Sequence, residues 1–472
     1  VFSFVFLFLA PVFLGAQELK SPDKDLNLEF ALENGIPSYH LSFRDRTVLK
    51  LGRLGFELKG FTLKDGFEIE KIERSSVDTS WNPVWGQEKS IRDAHNEMLV
   101  NLVQRETGRK LNIRFRLFDD GLGFRYEFPV QSNLKHFIVE NELTEFNLTG
   151  DHKTFWIPAD FDSNEYSYTT SKLSEVDAWK DPMISYGTNE NNRPDQFGVK
   201  TPLMLKTDSN LYINIHEASL VDYPVMELHL NKDEFQLVSE LAPGVLGNKA
   251  YLRTPFTTPW RTIIVSDEAE DILASRMILN LNEPSKIKNE SWTKPMKYMG
   301  VWWEMQIGKS SWNYTNDLDE LSEDGKLIPH HNHAANTHNV KRYIDFASEH
   351  DIDGLLVEGW NIGWEEWLSG QEENFDFVTP YPDFDLREIT DYASKRDVKM
   401  VMHNETGASA SNYDRKMDTA FAFMNEFGYP AVKTGYVGAV IPRGEHHDGQ
   451  WMVQHFMRSI KKAAEHKVMI NI

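Results

Sequence analysis

Residues 354–360 read GLLVEGW, residues 398–405 read VKMVMHNE and residues 431–437 read AVKTGYV. Each is a short apolar run that ends in ionisable or aromatic residues, too brief for a helix and bounded by Gly or Asp. Two similar runs flank them, 297–305 (KYMGVWWEM) and 467–472 (KVMINI). Between these runs lie 339–350, 384–396, 412–427 and 450–466, each with apolar residues at helical spacing. Strand–helix alternation of this kind predicts parallel strands in a βα barrel or a doubly wound sheet. No G-x-G-x-x-G follows a strand, so the dinucleotide-binding fingerprint is missing. The runs supply five strands where a closed barrel takes eight, so a barrel is expected to be C-terminally truncated.

Upstream the texture differs. From about residue 26 to 267 the pattern is one of short strands, such as 111–118 (LNIRFRLF), 123–128 (GFRYEF), 211–215 (LYINI) and 261–265 (RTIIV). Gly, Asn, Asp and Pro punctuate them, which predicts a large β-sandwich. The run 1–16 (VFSFVFLFLAPVFLGA) is apolar and uncharged, yet shorter than the roughly 20 residues of a membrane span. It reads as part of a signal peptide, and the protein is expected to be exported, periplasmic or extracellular, with no membrane span beyond that segment. The expected domains are therefore 1–16 partial signal peptide, 17–283 N-terminal β-sandwich and 284–472 catalytic barrel.

Composition narrows the function. The chain carries 50 Lys and Arg against 72 Asp and Glu, a formal charge of −22, which repels a phosphate backbone and argues against nucleic acid as a partner. It has no cysteine, which removes thiol nucleophiles and thiolate metal sites. Neither H-E-x-x-H nor G-x-S-x-G is present, so zinc-peptidase and α/β-hydrolase readings are disfavoured.

Active sites of βα barrels sit at the C-terminal ends of the strands. Those ends carry Glu304, then Glu358 with Trp360, then His403 with Glu405, then Lys433. Glycoside hydrolysis needs one carboxylic acid to protonate the leaving oxygen and one carboxylate to activate water or attack the sugar. Carboxylates and imidazole repeated at successive strand ends, among Trp and Gly, suit that reaction. The chain has 13 Trp, whose rings can stack on sugar faces.

The strings 356–367 (LVEGWNIGWEEW), 402–406 (MHNET), 432–438 (VKTGYVG) and 449–453 (GQWMV) together resemble glycoside hydrolase family 97, in its inverting, starch-utilisation α-glucosidase branch. Strings 80–86 (SWNPVWG), 156–168 (WIPADFDSNEYSY) and 215–223 (IHEASLVDY) fit that family's N-terminal domain. The resemblance implies a β-super-sandwich followed by a truncated (β/α)8 TIM-type barrel. It implies Glu405 as a catalytic base, with His403, Lys433 and Glu358 contacting the sugar. It also implies a Ca2+ cofactor with Glu165 as a ligand from the β-domain, Glu217 being a weaker candidate. The implied substrate is a terminal α-linked glucose of an α-glucan or oligosaccharide. In the family's retaining members an Asp on the fourth strand is the nucleophile; here Gly435 stands at the matching position, which favours inversion. The family's second base, general acid and further calcium ligands follow the fifth strand, so the chain as written is expected to be inactive and to bind calcium poorly. An α-galactosidase specificity and a non-catalytic carbohydrate-binding protein are the alternatives.

Overall fold

The computed structural model describes residues 15–187 and 194–472, so most of the expected signal segment lies outside the described residues. The chain divides into two compact units. One gathers the described part of 1–82 with Ser90–Glu283 and Asp448–Gln450; the other comprises Pro83–Lys89, Pro284–His447 and Trp451–Ile472.

The first unit is built of antiparallel sheet: an eight-stranded sheet, a ten-stranded sheet and a four-stranded one. The strand Lys110–Phe118 shows why. Leu111, Ile113, Phe115 and Leu117 alternate inward and are fully buried, while Arg114 and Arg116 point outward to Glu97 and Glu127. Period-two alternation of this kind pairs one apolar face against another. Phe30 meets Phe115 at 5.8 Å between ring centroids, and Tyr39 meets Phe124 at 5.2 Å. The expected N-terminal sandwich is present.

Arg261 is the largest charged group in this core. Its guanidinium lies 2.7 Å from Glu142 and 2.6 Å from Glu217, and all three side chains are buried. The second oxygen of Glu217 accepts the Met226 N–H. Glu217 is therefore spent inside the sandwich on charge pairing and a backbone bond, which corrects its candidacy as a calcium ligand.

The second unit holds one parallel sheet of five strands in chain order. These are β1 (Tyr298–Val301), β2 (Gly354–Val357), β3 (Lys399–Glu405), β4 (Ala431–Gly435) and β5 (Met469–Asn471). Between β1 and β2 runs α1 (Thr337–Glu349); α2 (Leu386–Ser394), α3 (Ala410–Glu426) and α4 (Gln450–His466) follow β2, β3 and β4. Sequential parallel order with a helix in each crossover is the βα-barrel pattern, without the order reversal of a doubly wound sheet.

Alternation along each strand separates two faces. Leu355, Val357, Met400, Met402 and Val432 pack with the helices, against residues such as Ile344, Ile389 and Phe421. Leu356, Val401 and Ala431 form a smaller cluster on the opposite face. Counting in twos from that second set reaches Glu358, then His403 and Glu405, then Lys433 and Gly435.

The first strand is shorter than the sequence suggests. It stops at Val301, and Trp303–Gln306 forms a short helix. The Trp302 ring folds back over Gly300, into space that any Cβ there would occupy. Glu304 is thereby turned off the strand, and its carboxylate accepts from Asn339 Nδ2 (2.8 Å) and Tyr343 Oη (3.0 Å). It is a helix-facing group, not a member of the strand-end constellation.

Helix α1 starts where Asn336 Oδ1 accepts the Asn339 N–H at 2.9 Å. Asn336→Ala is expected to lower the stability of this unit by about 1 kcal/mol, the usual size of a lost N-cap, readable as a fall in the urea midpoint at unchanged slope.

Candidate active site

Four of the five expected site residues come together at the C-terminal ends of β2, β3 and β4. Parallel pairing sets His403 opposite Lys433 and Glu405 opposite Gly435. Glu358 immediately follows β2 on the same face. Its Oε1 lies 3.3 Å from Lys433 Nζ and 3.7 Å from His403 Nε2, and its Oε2 accepts the Trp312 indole N–H at 2.9 Å. One carboxylate thus joins the lysine, the imidazole and an indole.

Glu405 is held by one oxygen only. Its Oε1 accepts the backbone N–H groups of Gly407 (2.8 Å), Thr406 (3.0 Å) and Val437 (3.3 Å). The hydrogen bonds to this carboxylate among the described residues all go to Oε1, and Oε2 occupies the space above Gly435 across the strand pair. A Cβ at 435 would overlap Oε2, and the three atoms nearest to it all belong to the Glu405 carboxylate. The side chain is 4% exposed, and burial pushes its carboxyl up to about 7, partly offset by the backbone donors and reinforced by the negative charge of Glu358. Such a group is poised to take a proton near neutral pH.

His403 is buried as well. Desolvation lowers its imidazole to about 4, against the opposing pull of Glu358 and with the help of Lys433, so the ring is neutral at pH 7. Its Nδ1 is buried without a hydrogen-bond partner. The ring stacks on Trp364 at 5.8 Å, and Trp364 stacks in turn on Trp312 at 6.2 Å with 10° between planes. Lys433 Nζ lies 5.5 Å from the Trp302 ring centroid. The result is an aromatic wall beside two carboxylates, an amine and a neutral imidazole, a lining that suits a polyhydroxylated ligand with apolar faces.

Glu165, the fifth expected residue, belongs to the β unit. It is exposed, its backbone N–H donates to Ser163 Oγ at 3.1 Å, and its carboxylate makes no hydrogen bond or ion pair among the described residues. Calcium takes about six to eight oxygen ligands. Among the described residues no three His, Asp or Glu side chains form a metal cluster, so these residues alone do not supply that shell.

Trp312 was not legible as a site residue. It lies 46 positions before Glu358 and outside any strand. Trp364 and Trp367 stand in the quoted string 356–367, yet nothing local marks which indole faces the imidazole.

Among the described residues no helix is long and apolar enough to cross a membrane. The profile of the glycosyl hydrolase 97 N-terminal domain matches residues 19–284, and that of glycoside hydrolase 97 matches residues 302–472. A curated relative, a retaining alpha-galactosidase of Bacteroides thetaiotaomicron, is 22% identical over 96% of this chain and 63% of its own length. A solved family 97 enzyme from Pseudoalteromonas sp. strain K8, in complex with acarbose, is 36% identical with a TM-score of 0.85 and covers 96% of this chain. The chain spans 66% of that enzyme, so it matches somewhat less than two thirds of either relative. A solved beta-arabinopyranosidase shares the fold at 18% identity and a TM-score of 0.71. The two profile matches together cover nearly all of the described residues, and the chain belongs to glycoside hydrolase family 97.

Proposed function

We propose that this chain supplies the base side of an inverting α-glucosidase that removes terminal α-linked glucose from α-glucans or oligosaccharides. The observation that carries the reading is the pairing of Glu405 with Gly435. Retention needs a carboxylate that attacks the sugar, whereas inversion needs one that activates a water. Position 435 has no side chain, and the Glu405 carboxylate fills its space with one oxygen unengaged. Held by three N–H groups on Oε1, the carboxylate can accept a water proton at Oε2 without moving. Lys433 and His403 flank Glu358 and can bond sugar hydroxyls. The solved Pseudoalteromonas enzyme is described in complexes with acarbose and, as an E480Q variant, with panose, a trisaccharide of α-linked glucose. These ligands support a gluco-configured substrate.

The test is the anomer first released from p-nitrophenyl α-glucoside by the enzyme that carries this chain, followed by NMR. β-Glucose is expected; α-glucose as first product would refute inversion. The retaining alpha-galactosidase relative motivates a second reading, α-galactosidase activity. Faster cleavage of the α-galactoside than of the α-glucoside in the same assay would favour it.

Calcium binding with Glu165 as a ligand is a separate proposal, motivated by the family resemblance and the exposed, unengaged carboxylate. Saturating calcium is expected to raise the thermal midpoint of the enzyme, since a ligand bound only by the native state stabilises it. Glu165→Gln should remove that rise, and an unchanged response in the variant would exclude this ligand.

A further inference from the structure

His333 is gripped at both ring nitrogens. Nδ1 lies 3.0 Å from each oxygen of Asp383, and Nε2 lies 2.9 Å from the Gly359 carbonyl oxygen. A carboxylate and a carbonyl can only accept, so both contacts are hydrogen bonds only when both nitrogens carry a proton. The ring is 3% exposed, and Tyr314 and Tyr381 meet it edge-on.

What His333 holds is the turn that aims Glu358. Gly359 follows Glu358 directly and adopts φ +77°, in the left-handed region that glycine tolerates. A Cβ on it would sit 2.6 Å from the Trp312 carbonyl oxygen. Trp312 thus closes on both residues: its backbone against Gly359, its indole on Glu358 Oε2. The anchors of His333 are themselves tied. The Asp383 carbonyl receives the N–H and Oγ1–H of Thr337, and the His333 carbonyl accepts from Asn336 Nδ2. The Gly359 carbonyl would otherwise be a buried acceptor beside a left-handed turn.

We infer that His333 is a positioning residue, which donates from both ring nitrogens to lock the Gly359 turn against Asp383 and thereby fixes the carboxylate of Glu358 between Trp312 and Lys433. The activity arm of its test rests on the α-glucosidase reading; the spectroscopic arm does not.

The variants are His333→Phe, which keeps the volume and removes both donors, and His333→Gln, whose amide can still donate to the Gly359 carbonyl. The reporter is the Trp312 indole N–H resonance, identified by its loss in Trp312→Phe. It is expected to move in His333→Phe and to return toward the parent position in His333→Gln. In the active enzyme, His333→Phe should lower kcat roughly tenfold to a hundredfold, the scale of a small misplacement, with His333→Gln recovering most of it. A Trp312 resonance unmoved in a folded His333→Phe overturns the inference. Should His333→Phe not fold, the ring 15N spectrum of the parent decides: two protonated nitrogens support the clamp, and one bare nitrogen overturns it. If the parent cleaves no α-glucoside, the proposed function fails while both spectra still judge the clamp.

Discussion

Glu405→Gln in the enzyme that carries this chain is expected to lower kcat by about 10²- to 10⁴-fold, the contribution of a positioned acid or base, with KM changed only a few-fold. The amide can keep its oxygen on the three backbone N–H groups that hold Oε1, so the side chain stays in place while the proton acceptor is lost. Activity within a few-fold of the parent would remove Glu405 from the mechanism. The pH dependence gives a second, independent readout. Burial raises the carboxyl to about 7, and a base works only when ionised, so the rate should climb as pH rises through about 7. Stability should run the other way. The folded state keeps a proton that the unfolded chain releases near the ordinary value of 4.5. The stabilisation from that proton is complete below 4.5 and is lost as pH rises through about 7. Glu405→Gln removes this loss, so the variant should be the more stable protein at pH 8, seen as a higher thermal midpoint.

Much of this site could be read before the structure because strands alternate. Once Val401 is assigned to one face, His403 and Glu405 must share it, and the same count on the neighbouring strand delivers Lys433 and Gly435. Local apolar periodicity likewise located the four helices, with α4 agreeing in both bounds. What could not be read depends on partners distant in sequence. Glu217 sits in a string that suggested a metal ligand, but its fate is decided by Arg261 on another strand of the sandwich. Glu304 ends an apolar run like the others, yet the Trp302 ring over Gly300 turns the chain into a helix, and Asn339 and Tyr343 of α1 collect the carboxylate. The backbone donors to Glu405 come from residues 406, 407 and 437, and no side-chain pattern encodes where an N–H points. The double grip on His333 has the same character: Asp383 and Gly359 are 50 and 26 positions away.

Gly435→Ala is expected to be nearly as damaging as loss of Glu405, although it adds one methyl group. The backbone at 435 lies outside the left-handed region, so alanine is conformationally allowed there and the strand need not distort. The three atoms nearest the new Cβ all belong to the Glu405 carboxylate, which the methyl would displace from its present position. Turnover should fall by about 10²-fold or more, the scale of a misplaced base. A merely crowded strand would produce a similar loss, so the deciding measurement is a double-mutant cycle with Glu405→Ala. If the two residues compete for one space, Gly435→Ala in the Glu405→Ala background should change kcat by no more than about twofold, a strongly non-additive result for groups in contact. Losses that multiply in the double variant, or a Gly435→Ala enzyme with parental turnover, would show that the space above Gly435 does not belong to the base. The same competition bears on stereochemistry. A side chain at 435 and the present placement of Glu405 exclude each other, so the proposed inversion depends on glycine at 435, whereas attack by a carboxylate at 435 would require Glu405 to move.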